Sequence, residues 1–328
     1  MTKKYKLGII GAGSIVELSH LPILKNLDQI EVCWQFDKNI TRSDIISKMF
    51  QVPVLREEQL ENAIKEIDIC LLTIPYGVRR SFIEKIAANG KSLFVEKPFA
   101  TTIEEHEYYC GLFPSYKLAV GFQRRHYKIV SFVQQLIKGN FFGALKKIHF
   151  REGYFVLKGG NRFTSEVNLS GGGVIIESAI HSLDQILLIT SAQNVLVNEV
   201  KSLHKNLLDY DSVFTSLIST NNGEIPITCE ISSLRNLKSG LEMEFENATI
   251  NCQLTTDTKI KILSNNNEAV FTISDMEKYV GANSISHSFY IFWNEFLTAL
   301  NEEKDNLTSG TSSILTTGWI EQIYKKMN

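Results

Sequence analysis

A short apolar run in the first half of the chain ends in two opposite charges and a proline: residues 92–99 read SLFVEKPF. It follows the helix breakers Asn89 and Gly90, so it predicts a buried parallel strand that stops where proline cannot continue the ladder. Glu96 and Lys97 then lie at the carboxyl end of the strand, the edge where open α/β sheets bind ligands. An ion pair in a surface loop is the alternative.

A second group that could do chemistry follows a glycine run, in residues 171–184, GGGVIIESAIHSLD. Glu177 and His181 are spaced i, i+4, which places them on one face of a helix. A carboxylate that touches an imidazole fixes its tautomer and raises its basicity, as proton transfer requires, although a lone histidine is often structural. The motif H-E-x-x-H is absent and the sequence offers no third ligand, so we predict no metal site.

The elements that must position Lys97 begin with a glycine turn. A strand, Lys6–Ile10, leads into Gly11-Ala12-Gly13-Ser14-Ile15-Val16 and a helical pattern through Leu27. The first two glycines permit the turn and let backbone N–H groups approach a pyrophosphate at the helix N-terminus. Val16 replaces the third glycine of the dinucleotide fingerprint, which affects packing more than binding.

The next strand, Ile30–Phe36, ends in Asp37, at the spacing expected for a carboxylate that accepts hydrogen bonds from the adenosine ribose. This favours NAD(H). Lys38 and Arg42 follow closely and could bind a 2′-phosphate, so NADP(H) stays open. A helix cap or turn is the alternative role for Asp37.

Strands continue to alternate with helices: strand 67–75, helix 78–89, the strand that ends at Lys97, and strand 117–122. This pattern predicts a doubly wound parallel sheet in residues 1–122, whose strand ends share one edge. The predicted cofactor-binding residues at that edge are Gly11, Gly13, Ser14, Ile15, Asp37, Lys38, Arg42, Thr73, Ile74, Pro75, Glu96, Lys97 and Gln123.

Residues 123–328 have a different pattern, with strands joined by short polar turns. We predict strands over 147–155, 195–204, 212–220, 224–233, 241–254, 259–263 and 269–273. Alternation in LEMEFE, residues 241–246, places glutamates on an open face of a mostly antiparallel sheet. Two closing helices carry apolar stripes, which we interpret as core, and they could pack back on the first domain. The second domain is thus α+β.

Composition excludes several classes of protein. The chain has 328 residues, 44% hydrophobic and 21% charged, with a net charge of −2. Nothing in this balance predicts nucleic acid or an anionic membrane as a partner. No apolar run approaches the roughly 18 residues of a membrane span. The five cysteines are scattered, which indicates neither disulfides nor zinc and favours a cytoplasmic location.

Several motifs together resemble the Gfo/Idh/MocA family of NAD(P)-dependent sugar and polyol oxidoreductases. The likeness implies a Rossmann domain followed by a sheet that binds a carbohydrate-type substrate and forms a homodimer or homotetramer. It covers nearly the whole chain. The motifs are GAGSI (11–15) with HLP (20–22), TIP (73–75), ANGK (88–91) before EKP (96–98), and GFQRR (121–125).

The resemblance also implies roles for individual residues. His181 and Lys97 would act on the substrate hydroxyl, with Glu177 orienting His181, although Glu177 and Ala179 replace the usual aspartate and glycine. Arg79 stands where the family usually has histidine. The candidate substrate-binding residues are Arg125, Lys158, Arg162 and His181, although Lys158 and Arg162 could equally be solvated loop charges.

The expected function is therefore hydride transfer between a nicotinamide and a carbinol or carbonyl carbon of a sugar, sugar nucleotide or cyclitol. Two alternatives come from the same family: a non-catalytic NAD-binding sensor and an NAD-dependent glycoside hydrolase. The substituted Glu177 and Arg79 keep the sensor open. The sequence does not identify the substrate or the direction of the reaction.

We predict that NAD(H) binds more tightly than NADP(H). The Asp37 carboxylate repels a 2′-phosphate and accepts ribose hydroxyls, while Lys38 and Arg42 reduce the difference. Calorimetric titration with each cofactor measures the two dissociation constants. A clear preference for NADPH would refute the assignment of Asp37.

Overall fold

The computed structural model describes residues 3–155, 166–273 and 281–327. The chain divides into two compact units. The first comprises residues up to Ala100, Glu104–Phe122 and Phe289–Ser312, and the second comprises Thr101–Ile103, Gln123–Ser288 and the residues from Ser313 onward. Two predicted substrate-binding residues, Lys158 and Arg162, lie outside the described residues.

The first unit is built on a parallel sheet of five strands in the order β2-β1-β3-β4-β5. A single bridge from Gln35 to Val54 adds one residue beyond β2. With it the order becomes that of dinucleotide-binding folds, in which the switch point lies beside β1. The strands are β1 (Tyr5–Ile10), β2 (Ile30–Phe36), β3 (Ile69–Leu72), β4 (Ser92–Val95) and β5 (Leu118–Val120).

Helices connect these strands, as the alternating pattern predicts. A π-helical turn, Val16–His20, leads into the first short helix instead of the single helix expected through Leu27. The helices are α1 (Leu21–Leu24), α2 (Ile40–Phe50), α3 (Leu60–Lys65), α4 (Arg80–Ala88) and α5 (Ile103–Gly111). The later α9 (Ile285–Glu302) contributes its residues from Phe289 to this unit.

The apolar stripe of α9 completes the core of the first unit. Phe292 and Trp293 are fully buried, and their ring centroids each lie 4.4 Å from that of Phe94 in β4. Phe289 and Phe296 are also fully buried. The prediction that these aromatics are core is confirmed, and β4, the strand before Lys97, packs directly against them.

The second unit contains a sheet of eight strands in the order β13-β12-β11-β10-β6-β9-β8-β7. All neighbours are antiparallel except β6 and β9, which are parallel. The predicted fold class is therefore confirmed. The strands are β6 (Leu145–Gly153), β7 (Asn194–Lys205), β8 (Leu208–Thr220), β9 (Gly223–Ser232), β10 (Gly240–Phe245), β11 (Thr249–Cys252), β12 (Lys259–Ser264) and β13 (Asn267–Thr272).

The strand predicted over residues 241–254 is wrong as a single element, because β10 and β11 form a hairpin. The turn between them is stabilised by two backbone hydrogen bonds to the segment before β6: Glu246 N–H donates to Ala144 O and Asn247 N–H donates to Phe142 O, both at 3.0 Å. The apolar positions shift from odd to even numbers across the polar pair Glu246 and Asn247, so the sequence pattern does mark the break that the prediction of one strand overlooked. Glu242 and Glu244 do lie on the less buried face, as predicted.

Helices cover the other face of this sheet: α6 (Lys128–Lys138), α7 (Val167–Ser170), a π-helical turn (Ile175–Ala179), α8 (Ile180–Thr190) and α10 (Ile314–Met327). The helical stretch Val167–Thr190 has the length and hydropathy of a membrane span, contrary to our expectation, but 89% of its most apolar window is buried within the protein. The stretch Val167–Thr190 is therefore a core helix of its unit.

A side-chain hydrogen bond joins α10 to the sheet: Trp319 Nε1–H donates to Ser216 Oγ in β8 at 2.9 Å.

Candidate active site

The glycine turn that follows β1 has the geometry that a dinucleotide phosphate needs. Gly11 has φ +106°, and a β-carbon there would lie 2.4 Å from Thr73 Oγ1, so only glycine fits. A β-carbon on Gly13 would meet no atom within 4 Å, so the space above this residue is open. The helix then starts at Ser14 and Ile15, with Val16 N–H donating to Gly13 O at 3.0 Å. Val16, which replaces the third glycine, is fully buried.

The middle residue of the turn, Ala12, is held through both of its backbone groups. Its N–H donates to Asp37 Oδ2 at 2.7 Å, and its carbonyl accepts from Arg42 Nε at 2.7 Å. The other Asp37 oxygen accepts from Asn39 N–H at 2.7 Å. Asp37 is half-buried, and each carboxylate oxygen keeps a second lone pair for a ribose hydroxyl. Asp37 is therefore both a support of the turn and a candidate ligand, whereas the Lys38 side chain is exposed.

The carboxyl ends of β3 and β4 are joined by a buried arginine. Arg79, which is 2% exposed, donates to Glu96 O and Ile74 O at 2.6 Å each, and also to Pro98 O. Burial lowers the pKa of its guanidinium to about 10. Two of the three acceptors flank Lys97. Arg79, which departs from the family pattern, thus fixes the turn that presents Lys97.

The carboxylate of Glu96 belongs to a buried chain of hydrogen bonds. Trp293 Nε1–H donates to His20 Nδ1 at 3.1 Å, so the proton of the neutral imidazole is on Nε2, which donates to Glu96 Oε1 at 3.0 Å. Glu96 Oε2 accepts from the Lys97 N–H at 3.2 Å. Glu96 is therefore a support of the Lys97 turn, and Lys97 itself is half-buried.

In the second unit, the glycine run before His181 is explained by packing. Gly173 N–H and Ile175 N–H donate to the two carboxylate oxygens of Asp209 at 2.9 and 3.0 Å. A β-carbon on Gly173 would lie 2.1 Å from Asp209 O, so the close approach requires glycine. Burial raises the pKa of Asp209, and hydrogen bonds from Tyr324 and these N–H groups oppose the shift. The carboxylate of Asp209 thus binds these N–H groups at the start of the helix.

Two side-chain hydroxyl groups attach the helix of His181 to Glu152 in β6 and to Tyr154, which follows β6. Ser178 Oγ is hydrogen-bonded to Tyr154 Oη, and Ser182 Oγ donates to Glu152 Oε2 at 2.8 Å. His181 is buried, at 6% exposure, whereas Glu177 in the π-helical turn is exposed. The helix is therefore fixed on both sides of His181, and Glu177 lies at its solvent-facing edge.

Arg125, a predicted substrate-binding residue, has its guanidinium buried in an ion pair with Asp184 of α8. Its Nε and Nη2 donate to the two carboxylate oxygens at 2.7 and 2.6 Å. The next helix residue, Gln185, donates to Arg124 O at 2.9 Å. The turn after β5 thus holds α8 one helical turn beyond His181. Gln123 in that turn is 7% exposed, and its Oε1 accepts no hydrogen bond from the part of the chain that the structure describes.

The structure therefore brings together, within the first unit, the glycine turn, Asp37, Arg42, Thr73 and the Glu96–Lys97 turn at the carboxyl edge of one sheet. Thr73 Oγ1 donates to Gly11 O at 3.1 Å, which links β3 to the glycine turn. Within the second unit it places Glu177, His181 and Arg125 on or against one helix. Across residues 3–155, 166–273 and 281–327, no group of three or more His, Cys, Asp or Glu side chains could hold a metal ion.

Sequence reasoning missed the supporting residues: Trp293, Asp209, Asp184 and the role of Glu17, which pairs with Arg42. Each of these residues is at least 25 positions away in sequence from the residue that it supports, so spacing along the chain gives no sign of the contact. A buried tryptophan in an apolar stripe gives one weak signal, because its indole N–H needs an acceptor.

Comparisons with known proteins are consistent with this geometry. Residues 5–122 match the sequence model of the GFO_IDH_MocA oxidoreductase family, whose members have an NAD-binding Rossmann fold. This confirms the resemblance predicted from the motifs of the first domain. No curated protein sequence matches the chain.

Solved structures match the chain over almost its whole length. An aldose-aldose oxidoreductase from Caulobacter crescentus, complexed with glycerol, is similar with a TM-score of 0.83, 16% identity, and coverage of 99% of this chain and 97% of the other. An oxidoreductase from Thermotoga maritima has a TM-score of 0.79 at 22% identity, with coverage of 99% and 97%.

A 3-ketoreductase from Actinomadura kijaniata, in complex with TDP-benzene and NADP, gives a TM-score of 0.81 at 13% identity, with coverage of 99% and 98%. At these identities the likeness establishes the fold of the chain.

We expect Arg79→Ala to destabilise the protein strongly and Arg80→Ala to change its stability little. Loss of Arg79 leaves three carbonyl groups without their donor, which should lower the free energy of unfolding by about 3 kcal/mol. The neighbouring Arg80 is exposed; it forms an i, i+4 pair with Glu84 and lies 5.0 Å from the ring centroid of Tyr108, and such surface contacts contribute little to stability. Urea denaturation of both variants measures the difference, and equal losses would contradict this role of Arg79.

Proposed function

Because residues 5–122 match the sequence model of the GFO_IDH_MocA family of NAD-binding oxidoreductases, we propose that this protein transfers hydride between a nicotinamide and a carbinol or carbonyl carbon of a carbohydrate-type substrate. The observation that carries the proposal is the shared edge of the parallel sheet. The open glycine turn, the Asp37 carboxylate and the Lys97 turn all follow strands that end there.

The residues at this edge fit a dinucleotide. The space above Gly13 is open, and a phosphate there would lie at the start of the helix that begins at Ser14, where backbone N–H groups can bind it. Asp37 would accept hydrogen bonds from the adenosine ribose. A bound nicotinamide supplies the hydride donor or acceptor. The protein's own task is then to bind the substrate and to manage the hydroxyl proton.

Lys97 is suited to stabilise charge on the substrate oxygen. Its backbone is held on both sides, by Arg79 through the carbonyls of Glu96 and Pro98 and by the Glu96 carboxylate through its own N–H. The ammonium of this half-buried residue would donate a hydrogen bond to the oxygen as negative charge develops there. A donor whose backbone is fixed before the reaction costs little free energy of reorganisation in the transition state.

His181 is assigned the proton. It is buried in a helix that is anchored before and after it, which supports a fixed imidazole orientation. In the oxidative direction it would accept the hydroxyl proton as hydride leaves, and in the reductive direction it would return that proton. Glu177 would favour the protonated imidazole, although its exposed position weakens that effect by solvent screening.

The substrate class rests on the likeness to solved relatives and on the polarity of the candidate residues. Two of those relatives were crystallised with glycerol and with TDP-benzene and NADP, respectively. Small hydroxylated compounds and nucleotide-linked compounds are both represented. We propose a sugar, sugar nucleotide or cyclitol as the substrate of this protein.

We expect Lys97→Ala and His181→Ala each to lower turnover by roughly 10²-fold or more, because both side chains would act mainly in the transition state. Glu177→Gln should cost less, since an amide can still hydrogen-bond the imidazole. Steady-state kinetics with a panel of sugars and sugar nucleotides, followed by nicotinamide absorbance, measures these effects.

NAD(H) titration of the same variants separates catalysis from cofactor binding, and the dissociation constants should change by less than about threefold. Near-normal turnover in the Lys97 and His181 variants would remove the assigned mechanism. NAD(H) binding without turnover on any substrate would favour the sensor, for which the exposed Glu177 and the structural use of Arg79 are the supporting observations.

We also propose that the open face of the eight-stranded sheet forms a homodimer. This face carries both signs of charge in adjacent pairs, with Lys261 Nζ 2.6 Å from Glu268, Lys147 Nζ 3.7 Å from Glu244, and His149 3.2 Å from Glu230. A twofold axis places a surface against its own copy, so a face with both signs can match itself.

Light scattering should return at least twice the chain mass of 37.2 kDa. Val213, on the open face of β8, offers a site for disruption: Val213→Glu should dissociate the dimer, because it would bury an unpaired charge. Met49→Glu, at an exposed position of α2 in the first unit, is the matched control and should leave the mass unchanged. A wild-type monomer at micromolar concentration would refute the proposal.

A further inference from the structure

Arg42 was predicted as a candidate ligand for a 2′-phosphate, but its guanidinium is held at the glycine turn. Nε donates to Ala12 O at 2.7 Å, and Nη2 forms an ion pair with Glu17 Oε2. Both side chains are largely buried, with 25% of Arg42 and 21% of Glu17 exposed. Glu17 lies in the π-helical turn that follows the glycines.

The position of Arg42 is set from two directions. Asn39 caps α2, with its side chain accepting from Arg42 N–H at 3.1 Å, so the backbone of Arg42 is fixed in the first turn of that helix. Glu17 then fixes the other end of the side chain. The guanidinium bridges the start of α2 to the helix after the glycine turn.

This arrangement bears on how the site would discriminate between NAD(H) and NADP(H). The carboxylate of Asp37, beside Arg42, can only accept hydrogen bonds, and its charge repels a phosphate dianion. A bound 2′-phosphate therefore needs a cation nearby. Arg42 is the cation that the local geometry places next to Asp37, since both hold the same residue, Ala12. The carboxylate of Glu17 neutralises its charge and engages donors that a phosphate would otherwise use.

We propose that Glu17 is a cofactor-selectivity residue that acts through Arg42. It holds the guanidinium on the glycine turn and thereby withholds it from a 2′-phosphate, which would reinforce the preference for NAD(H) that Asp37 predicts. Glu17 is a positioning residue in this account. The inference rests on the proposed nicotinamide-dependent function and adds to it the residue that controls the choice of cofactor.

The test is calorimetric titration of the full-length protein with NADH and NADPH, for wild type, Glu17→Gln, Arg42→Gln and the double variant. Glu17→Gln should tighten NADPH binding by about tenfold, the change that one released charge-assisted contact produces, with NADH affinity changed by less than about twofold. The double variant should lose that gain, because the gain is carried by Arg42. Arg42→Gln alone should weaken the binding of NADPH no more than it weakens the binding of NADH.

Glu84→Gln is the matched control, since it releases Arg80 from an exposed carboxylate of the same unit and should leave the ratio of the two affinities unchanged. An unchanged ratio in Glu17→Gln would overturn the inference. So would a gain that persists in the double variant, or a selective loss of NADPH binding in Arg42→Gln alone.

Failure of the wider proposal has a different signature. A wild type that binds neither cofactor would overturn the proposed function and the inference together. A wild type that binds NADH, with a Glu17→Gln variant that is folded by thermal melting and unchanged in its ratio, would overturn only the role of Glu17.

Discussion

The candidate cofactor site is governed by one constraint, that backbone groups must find hydrogen-bond partners where the ladder of a parallel sheet ends. At that edge the structure supplies side chains instead of neighbouring strands. Thr73 binds Gly11 O, and Arg79 binds the carbonyls of Ile74 and Glu96. These bonds fix the loops that a dinucleotide and a substrate would contact, so the contacts that stabilise the fold are also those that shape the site.

The second unit meets a related constraint at the start of a helix, whose first N–H groups have no partner within the helix. Asp209 binds two of them from β8, and Tyr324 of α10 binds the same carboxylate. Hydroxyl and ion-pair contacts then hold the helix on either side of His181. These contacts, which lie outside His181 itself, fix the backbone of the helix that carries its buried side chain.

Several charged residues near the candidate site have a structural use that limits their chemical one. Arg79 and Arg125 are buried, and their donors are directed at carbonyls or at Asp184. A buried guanidinium without such acceptors would be strongly destabilising. Among the charged candidates, Lys97 is half-buried and Glu177 is exposed, and Asp37 keeps lone pairs beyond those that hold the turn.

The sequence alone determined the fold class, the family resemblance and the succession of strands and helices along residues 1–122, because periodicity and glycine and proline positions are local properties. It placed Asp37 and Lys97 at strand ends for the same reason. The division of residues 241–254 into β10 and β11 was also visible in the sequence, because the apolar positions change phase at Glu246 and Asn247, but we predicted a single strand there.

Only the tertiary structure showed that Arg42 is held by Glu17, that Arg79 supports the Lys97 turn, and that Trp293 orients His20. The last of these contacts joins residues 273 positions apart. Whether a charged side chain binds a ligand, a carboxylate or a backbone carbonyl depends on which acceptors the fold brings within about 3 Å, and residue type and spacing along the chain do not specify that.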